Sequence, residues 1–166
     1  MKVHPCVIRT MQRGSVLITT LILLIMLTVL GLAMISLNST QTRIATNSSD
    51  AQQAYQTAEG ALNEAANNLL AGNYTLAAFI ANTNGLYAFD STITPRWAPP
   101  LDWTDSTKVI VCTTCGMGTQ AAFIIEYMPP SNVPGVGTRQ VYRVTSRALG
   151  VSGKSPVILQ STVLTP

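Results

Sequence analysis

Histidine is nearly absent from this chain: His4 is the one copy in 166 residues. From Ser15 onward there is none, which excludes Ser-His-Asp and Cys-His nucleophilic centres and most zinc geometries from the bulk of the protein. Charge is scarce as well, at 10% of residues against 47% hydrophobic. That composition is too apolar for a disordered chain and suits one modest domain with an appendage. Cysteine is confined to Cys6, Cys112 and Cys115, and no internal repeat is present.

What the sequence does have is a long apolar run. No charged residue occurs between Arg13 and Arg43, and from Val16 to Ile35 only Thr19, Thr20, Thr28 and Gly31 interrupt Leu, Ile, Val, Met and Ala. About 20 residues at about 1.5 Å each make about 30 Å of helix, the thickness of a hydrocarbon core. A secretory signal peptide has an apolar core of roughly 7 to 15 residues before its cleavage site, so this run is too long for one. Lys2, Arg9 and Arg13 precede it, whereas Arg43, Asp50, Glu59 and Glu64 follow it. The positive-inside bias then keeps the N-terminus in the cytoplasm and exports the rest. A cut after Gly14 would remove three of the ten Lys and Arg residues and leave as many bases as the seven acids, so the net charge falls from +3 to zero for the side chains. The basic balance belongs to the leader and does not indicate a nucleic-acid partner.

Past the run, Ser36 to Leu70 contains no Pro and only Gly60. From Ala51 through AYQTAEGALNEAANNLL, apolar residues fall at positions 51, 58, 65 and 55, 62, 69, the pattern of an amphipathic helix with one stripe for a domain to rest on. NSTQTRIATNSSD is more polar, but it joins two helical stretches in phase. One helix of about 55 residues, about 80 Å long, is predicted from Ser15 to Ala71, with Gly72-Asn73 as its stop signal. Residues 15–36 form its membrane-spanning or fibre-core half and 37–71 its C-terminal half. Residues 72–107 read as a connecting region, with a short helix at TLAAFIA and with Trp97 and Trp103 lying over the core. Strand signals follow at 108–112, 121–128, 140–149 and 156–164, joined by short Gly-containing links that suit antiparallel hairpins. The expected class is α+β: a long N-terminal helix packed by its C-terminal half on a roughly four-stranded antiparallel sheet. The sheet, residues 108–166, is expected to form one globular domain with residues 50–107.

Few motifs carry chemistry. Asp102 and Asp105 in LDWTDSTK read as carboxylates capping turns in a solvated loop. GVSGKS at 150–155 lacks the first Gly of a phosphate loop, where Ala148 stands, and reads as a turn between strands. Asn38, Asn47 and Asn73 begin Asn-X-Ser/Thr triplets that matter only in a eukaryotic secretory pathway. Cys112-Thr-Thr-Cys115 sits at a strand end, where a structural disulfide suits an exported compartment; so short a loop adds local rigidity more than global stability. No catalytic residue, metal site or cofactor is assigned, and no enzymatic activity is expected.

Basic residues, then Gly14, then an apolar helix of this length resemble the class III leader of type IV pilins and pseudopilins. RGSVLITTLILLIMLTVLGLAM followed by TQTRIATNSSDAQQAYQTAEGALNEA resembles more closely the PilX family of minor pilins, and YRVTSRALG and VILQST are similar to that family's closing strands. The resemblance covers residues 12 to 71 and about 139 to 164. It implies that residues 1–14 are a prepilin leader, that prepilin peptidase cuts between Gly14 and Ser15 beside Arg13, and that Ser15 is then N-methylated. It also implies work in priming type IV pilus assembly at or near the fibre tip. The implied partners are other minor pilins, a large tip adhesin, the inner-membrane assembly platform and, before assembly, the lipid bilayer. The implied location is the inner membrane, with the domain in the periplasm and later in an extracellular pilus. Two positions depart from the major-pilin pattern. Ser15 stands where the mature chain usually begins with Phe, and Thr19 where Glu usually pairs with a neighbour's terminal amine. A minor pseudopilin of type II secretion shares this build, though K-type members carry a larger globular part. A membrane-anchored periplasmic redox or ligand-binding domain using Cys112 and Cys115 is the alternative from another class.

Overall fold

The computed structural model describes residues 15–115 and 120–166. Helix α1 spans Ser15–Leu70, 56 residues without a break, as the absence of Pro dictates. It passes through two compact units, one ending at Ala45 and the other beginning at Thr46. The described residues of the first unit are all helical, with the large apolar side chains from Val16 to Ile35 exposed.

Helix α1 ends in a Schellman arrangement. The Asn73 amide donates to the Asn68 carbonyl (3.1 Å) and the Gly72 amide to that of Leu69 (3.0 Å). Gly72 supplies the left-handed turn at φ +72°. The Asn73 side-chain amide also donates to the Asn68 side chain at 3.0 Å.

In the second unit the helix packs through Ala54, Ala58, Ala61, Ala65 and Leu69, all buried. The expected stripe differs in part, because Ala51 is exposed and Tyr55 is 51% exposed. A seven-residue register drifts by about 20° per heptad on a 3.6-residue helix, so the true contact face slides off the predicted one. The small side chains let the helix come close enough for Ser146 Oγ to donate to the Ala58 carbonyl at 2.8 Å.

A short helix α2 (Leu76–Ile80) follows, where TLAAFIA predicts one, and inserts Phe79 into the core. Five strands complete the unit: β1 (Leu86–Ala88), β2 (Ile110–Val111), β3 (Ala121–Val133), β4 (Gly137–Leu149) and β5 (Pro156–Thr165). Their order is β1-β3-β4-β5, with β2 also pairing β3. The sheet is mixed where four antiparallel strands are expected, because β1 runs parallel to β3. A parallel pair requires a long crossover, and residues 89–120 supply it. Gly85 is fitted to this edge: φ is +77°, and a Cβ there would come within 2.8 Å of the Ile110 nitrogen.

Strands β3 and β4 also extend beyond the expected hairpin, through Pro129 and Pro130 to a turn at 134–136. The ladder shifts register between Met128 and Ser131, so two residues without amide hydrogens fall where no regular pairing is required. Alternation along the strands produces two cores. Phe123, Ile125, Val144 and Ala148 pack with the α1 alanines and Phe79. On the other face Ala122 and Ile124 pack with Tyr87, Val109, Trp97, Leu101 and Trp103.

Candidate functional site

The apolar part of α1 is the first candidate, since α1 is long and apolar enough to cross a membrane. Its hydroxyls are the polar exceptions, and each is bonded within the helix. Thr19 Oγ1 donates to the carbonyls of Val16 (2.9 Å) and Ser15 (3.1 Å), Thr20 to Leu17 (2.9 Å), and Thr28 to Ile25 (2.8 Å). Such back-bonding removes the penalty for a bare hydroxyl in an apolar medium. Thr19, at the usual Glu position, thus directs its polar atom into its own helix. Ser15 is the first residue of α1; Gly14, where cleavage is expected, lies outside the described residues.

In the second unit, Cys112 and Cys115 form a disulfide, with Cα atoms 5.7 Å apart. Glu64 of α1 reaches this loop. It accepts from the Thr114 hydroxyl (2.6 Å) and amide (3.1 Å), and more distantly from Thr113. Burial works to raise the Glu64 pKa, but these donors outweigh it and hold the carboxyl below its usual value. Cys112 Sγ lies 2.9 Å from Glu64 Oε2. A disulfide sulfur carries no proton, so this is a contact and not a hydrogen bond. Glu64, Cys112 and Cys115 converge as metal-ligand types, yet both sulfurs are committed to each other while the bridge is intact. Gly60 lies under the bridge, with room for a Cβ at 3.6 Å from Cys115.

GVSGKS is a turn between β4 and β5, and it does hold an anion: Asp50 of α1. Ser152 donates to the Asp50 carboxylate from its amide (2.9 Å) and its hydroxyl (2.6 Å). Gly150 leaves room for the carboxylate, which a Cβ at this position would displace. The Ser152 hydroxyl and amide, opposed by burial and aided by Ser155 and Val151, hold Asp50 below its ordinary 3.8. A carboxyl with a depressed folded pKa stabilises the fold above its unfolded pKa and loses that effect as pH falls through the folded value. Protection of the Ser152 amide against exchange is therefore expected to be full at neutral pH and to disappear at a midpoint below 3.8. Asp50→Asn should abolish that step.

Asp102 and Asp105 cap turns, and a third copy of the same device occurs at Asp90. In each Asp-X-Thr triplet the carboxylate accepts from the amide and hydroxyl of Thr92, Thr104 or Thr107 at 2.6–2.9 Å. Asp105 is held down at about 2 by the Thr107 hydroxyl and amide and by Lys108. These triplets are legible in the sequence as DST, DWT and DST. The Asp50 and Glu64 contacts, by contrast, join residues too far apart in the chain to be read from local pattern.

Helix α1 thus joins an apolar part long enough to cross a membrane to a half that packs through alanines on a sheet. A family model described as PilX N-terminal matches residues 13–63; this segment is similar to the N-terminal part of PilX proteins and supports a PilX-family type IV pilin. No curated protein and no solved structure matches the chain.

Proposed function

We propose that this chain is a minor pilin that helps prime type IV pilus assembly and takes a place at or near the fibre tip with other minor pilins. The observation that carries this reading is Thr19. Its hydroxyl is satisfied within α1, and it offers no carboxylate to the terminal amine of an adjacent subunit. A subunit lacking that partner suits a terminal position better than one repeated along the shaft, where the buried amine needs neutralising. The PilX N-terminal match supports the wider pilin assignment. The apolar surface of α1 first meets lipid and then the helices of other subunits, an exchange between apolar surroundings that is close to neutral.

The test is the intact mass and position of the protein in cells with and without prepilin peptidase. The peptidase-containing cells are expected to yield a chain starting at Ser15 with one added methyl, found by gold labelling at fibre ends. Thr19→Glu should move label into the shaft. A full-length N-terminus in both strains would refute the pilin pathway. Wild-type label spread along the shaft, or unmoved by Thr19→Glu, would refute the tip position alone.

A further inference from the structure

On the face of the sheet away from α1, the 89–108 segment encloses a cleft of about 500 Å³. Arg96 and Lys108 line it, together with Tyr87 and the apolar side chains of Ile93, Pro95 and Leu101. Among the described residues no carboxylate lines it. The Arg96 guanidinium lies over the Tyr87 ring, 4.9 Å from its centroid, and Tyr87 is itself fixed by donating its hydroxyl to the Lys108 carbonyl at 2.8 Å. Arg96 Nε is buried without a hydrogen-bond partner, and Arg96 forms no ion pair among the described residues. A buried donor left in this state is unfavourable, so the group retains unused capacity for an acceptor.

Asp90, Glu126 and Arg143 line an adjoining pocket with Arg96, and there Glu126 is committed to Arg143. Asp90 is within electrostatic reach of Arg96, but its carboxylate accepts from Thr92. Asp105 pairs with Lys108 at 3.0 Å, and because that lysine side chain is 53% exposed the pair is of the weak, exchangeable kind. Arg96 is thus a positioned cation without a direct ion-pair partner among the described residues, backed by a second cation whose pairing with Asp105 is exchangeable.

We propose that this cleft binds an acidic peptide segment of a partner protein, with a carboxylate on Arg96 and apolar side chains against Ile93, Pro95 and Leu101. Planar guanidinium donors match a carboxylate, and stacking on Tyr87 preorganises them. The walls favour peptide over saccharide: Ile93, Pro95, Ala98, Pro100 and Leu101 outnumber the neutral polar residues Asn82 and Thr94, and the Tyr87 face that a sugar ring would use is covered by Arg96. The proposal requires neither the leader nor the fibre, so it stands apart from the minor-pilin reading.

Trp97 lies in the chain between Arg96 and Ala98, which line the cleft, and like Trp103 it is partly buried against the core, so tryptophan emission is the probe of this segment. The full chain in detergent is titrated with acetyl-Asp-Leu-Asp-amide, its neutral counterpart acetyl-Asn-Leu-Asn-amide, and glucuronate. Saturable binding of the acidic peptide is expected, at least tenfold tighter than either of the others and weakened by salt. Arg96→Gln should weaken it at least tenfold. Ala98→Glu, which places a carboxylate in the cleft without altering Arg96, should do the same with an unchanged unfolding midpoint. Absence of saturable binding, equal binding of the neutral peptide, or unaltered binding by Ala98→Glu would overturn the proposal. Tighter binding of glucuronate would overturn the choice of peptide.

Discussion

Arg143→Met is expected to destabilise the sheet unit by about 3–5 kcal/mol, the loss typical of a buried ion pair deprived of one member. Arg143 on β4 and Glu126 on β3 are cross-strand partners, with Nε donating to Oε2 at 2.8 Å. The Glu126 side chain is 2% exposed and that of Arg143 is 21% exposed. The guanidinium also lies over the Phe89 ring, 5.3 Å from its centroid, which holds the crossover segment against the sheet. Methionine keeps much of the volume but leaves a carboxylate buried without its cation. The partner test is the double variant Glu126→Leu, Arg143→Met. It removes both charges together and is expected to recover most of the stability, since apolar replacement of a whole buried pair is often neutral or favourable. Urea unfolding of the full chain in detergent, read by tryptophan emission, measures both. A single variant within about 1 kcal/mol of wild type would show that Glu126 finds water or another partner.

Phe79→Ala is expected to cost about 3–5 kcal/mol, from lost burial and from the cavity left behind. Phe79 is fully buried, and its ring lies 5.3 Å from that of Tyr142, 6.2 Å from Tyr127 and 6.4 Å from Tyr74. Those three rings come from two strands and from the link after α1, so no one side chain can move in to fill the space. Tyr55→Ala is the control: Tyr55 lies on the exposed side of α1, and the change should stay within about 0.5 kcal/mol. The same unfolding experiment separates the two, and equal losses would contradict the packing described here.

What could be read from the sequence followed the range of the interactions. Helix α1 was legible over nearly its whole length, because the lack of Pro and the Gly72 stop are local signals. The cores of β3, β4 and β5 were legible because alternation is local too. The packed side of α1 was legible only in part, since Ala-rich segments offer little contrast between the two faces: Ala51 is exposed while Ala54 is buried. Strand β1 was not legible, because three residues carry too little pattern, and its parallel pairing is decided by the crossover. The disulfide loop was anticipated at Cys112 and Cys115, but its carboxylate partner Glu64, 48 residues before Cys112, was not. Likewise GVSGKS is legible as a turn from its glycines, while its grip on Asp50 depends on α1 and the sheet having already met.

The three Asp-X-Thr triplets bear on the order in which the chain folds. Each joins an acid to a residue two positions on, so closing it demands almost none of the chain entropy that pairing β3 with β4 demands. Closures this local are faster than hairpin formation, which takes about 1–10 μs. The 89–108 segment can therefore sample its bends while the strands are still searching for register. A segment with little regular secondary structure meets the second face of the sheet as a partly shaped lid, and nucleation need not wait for it.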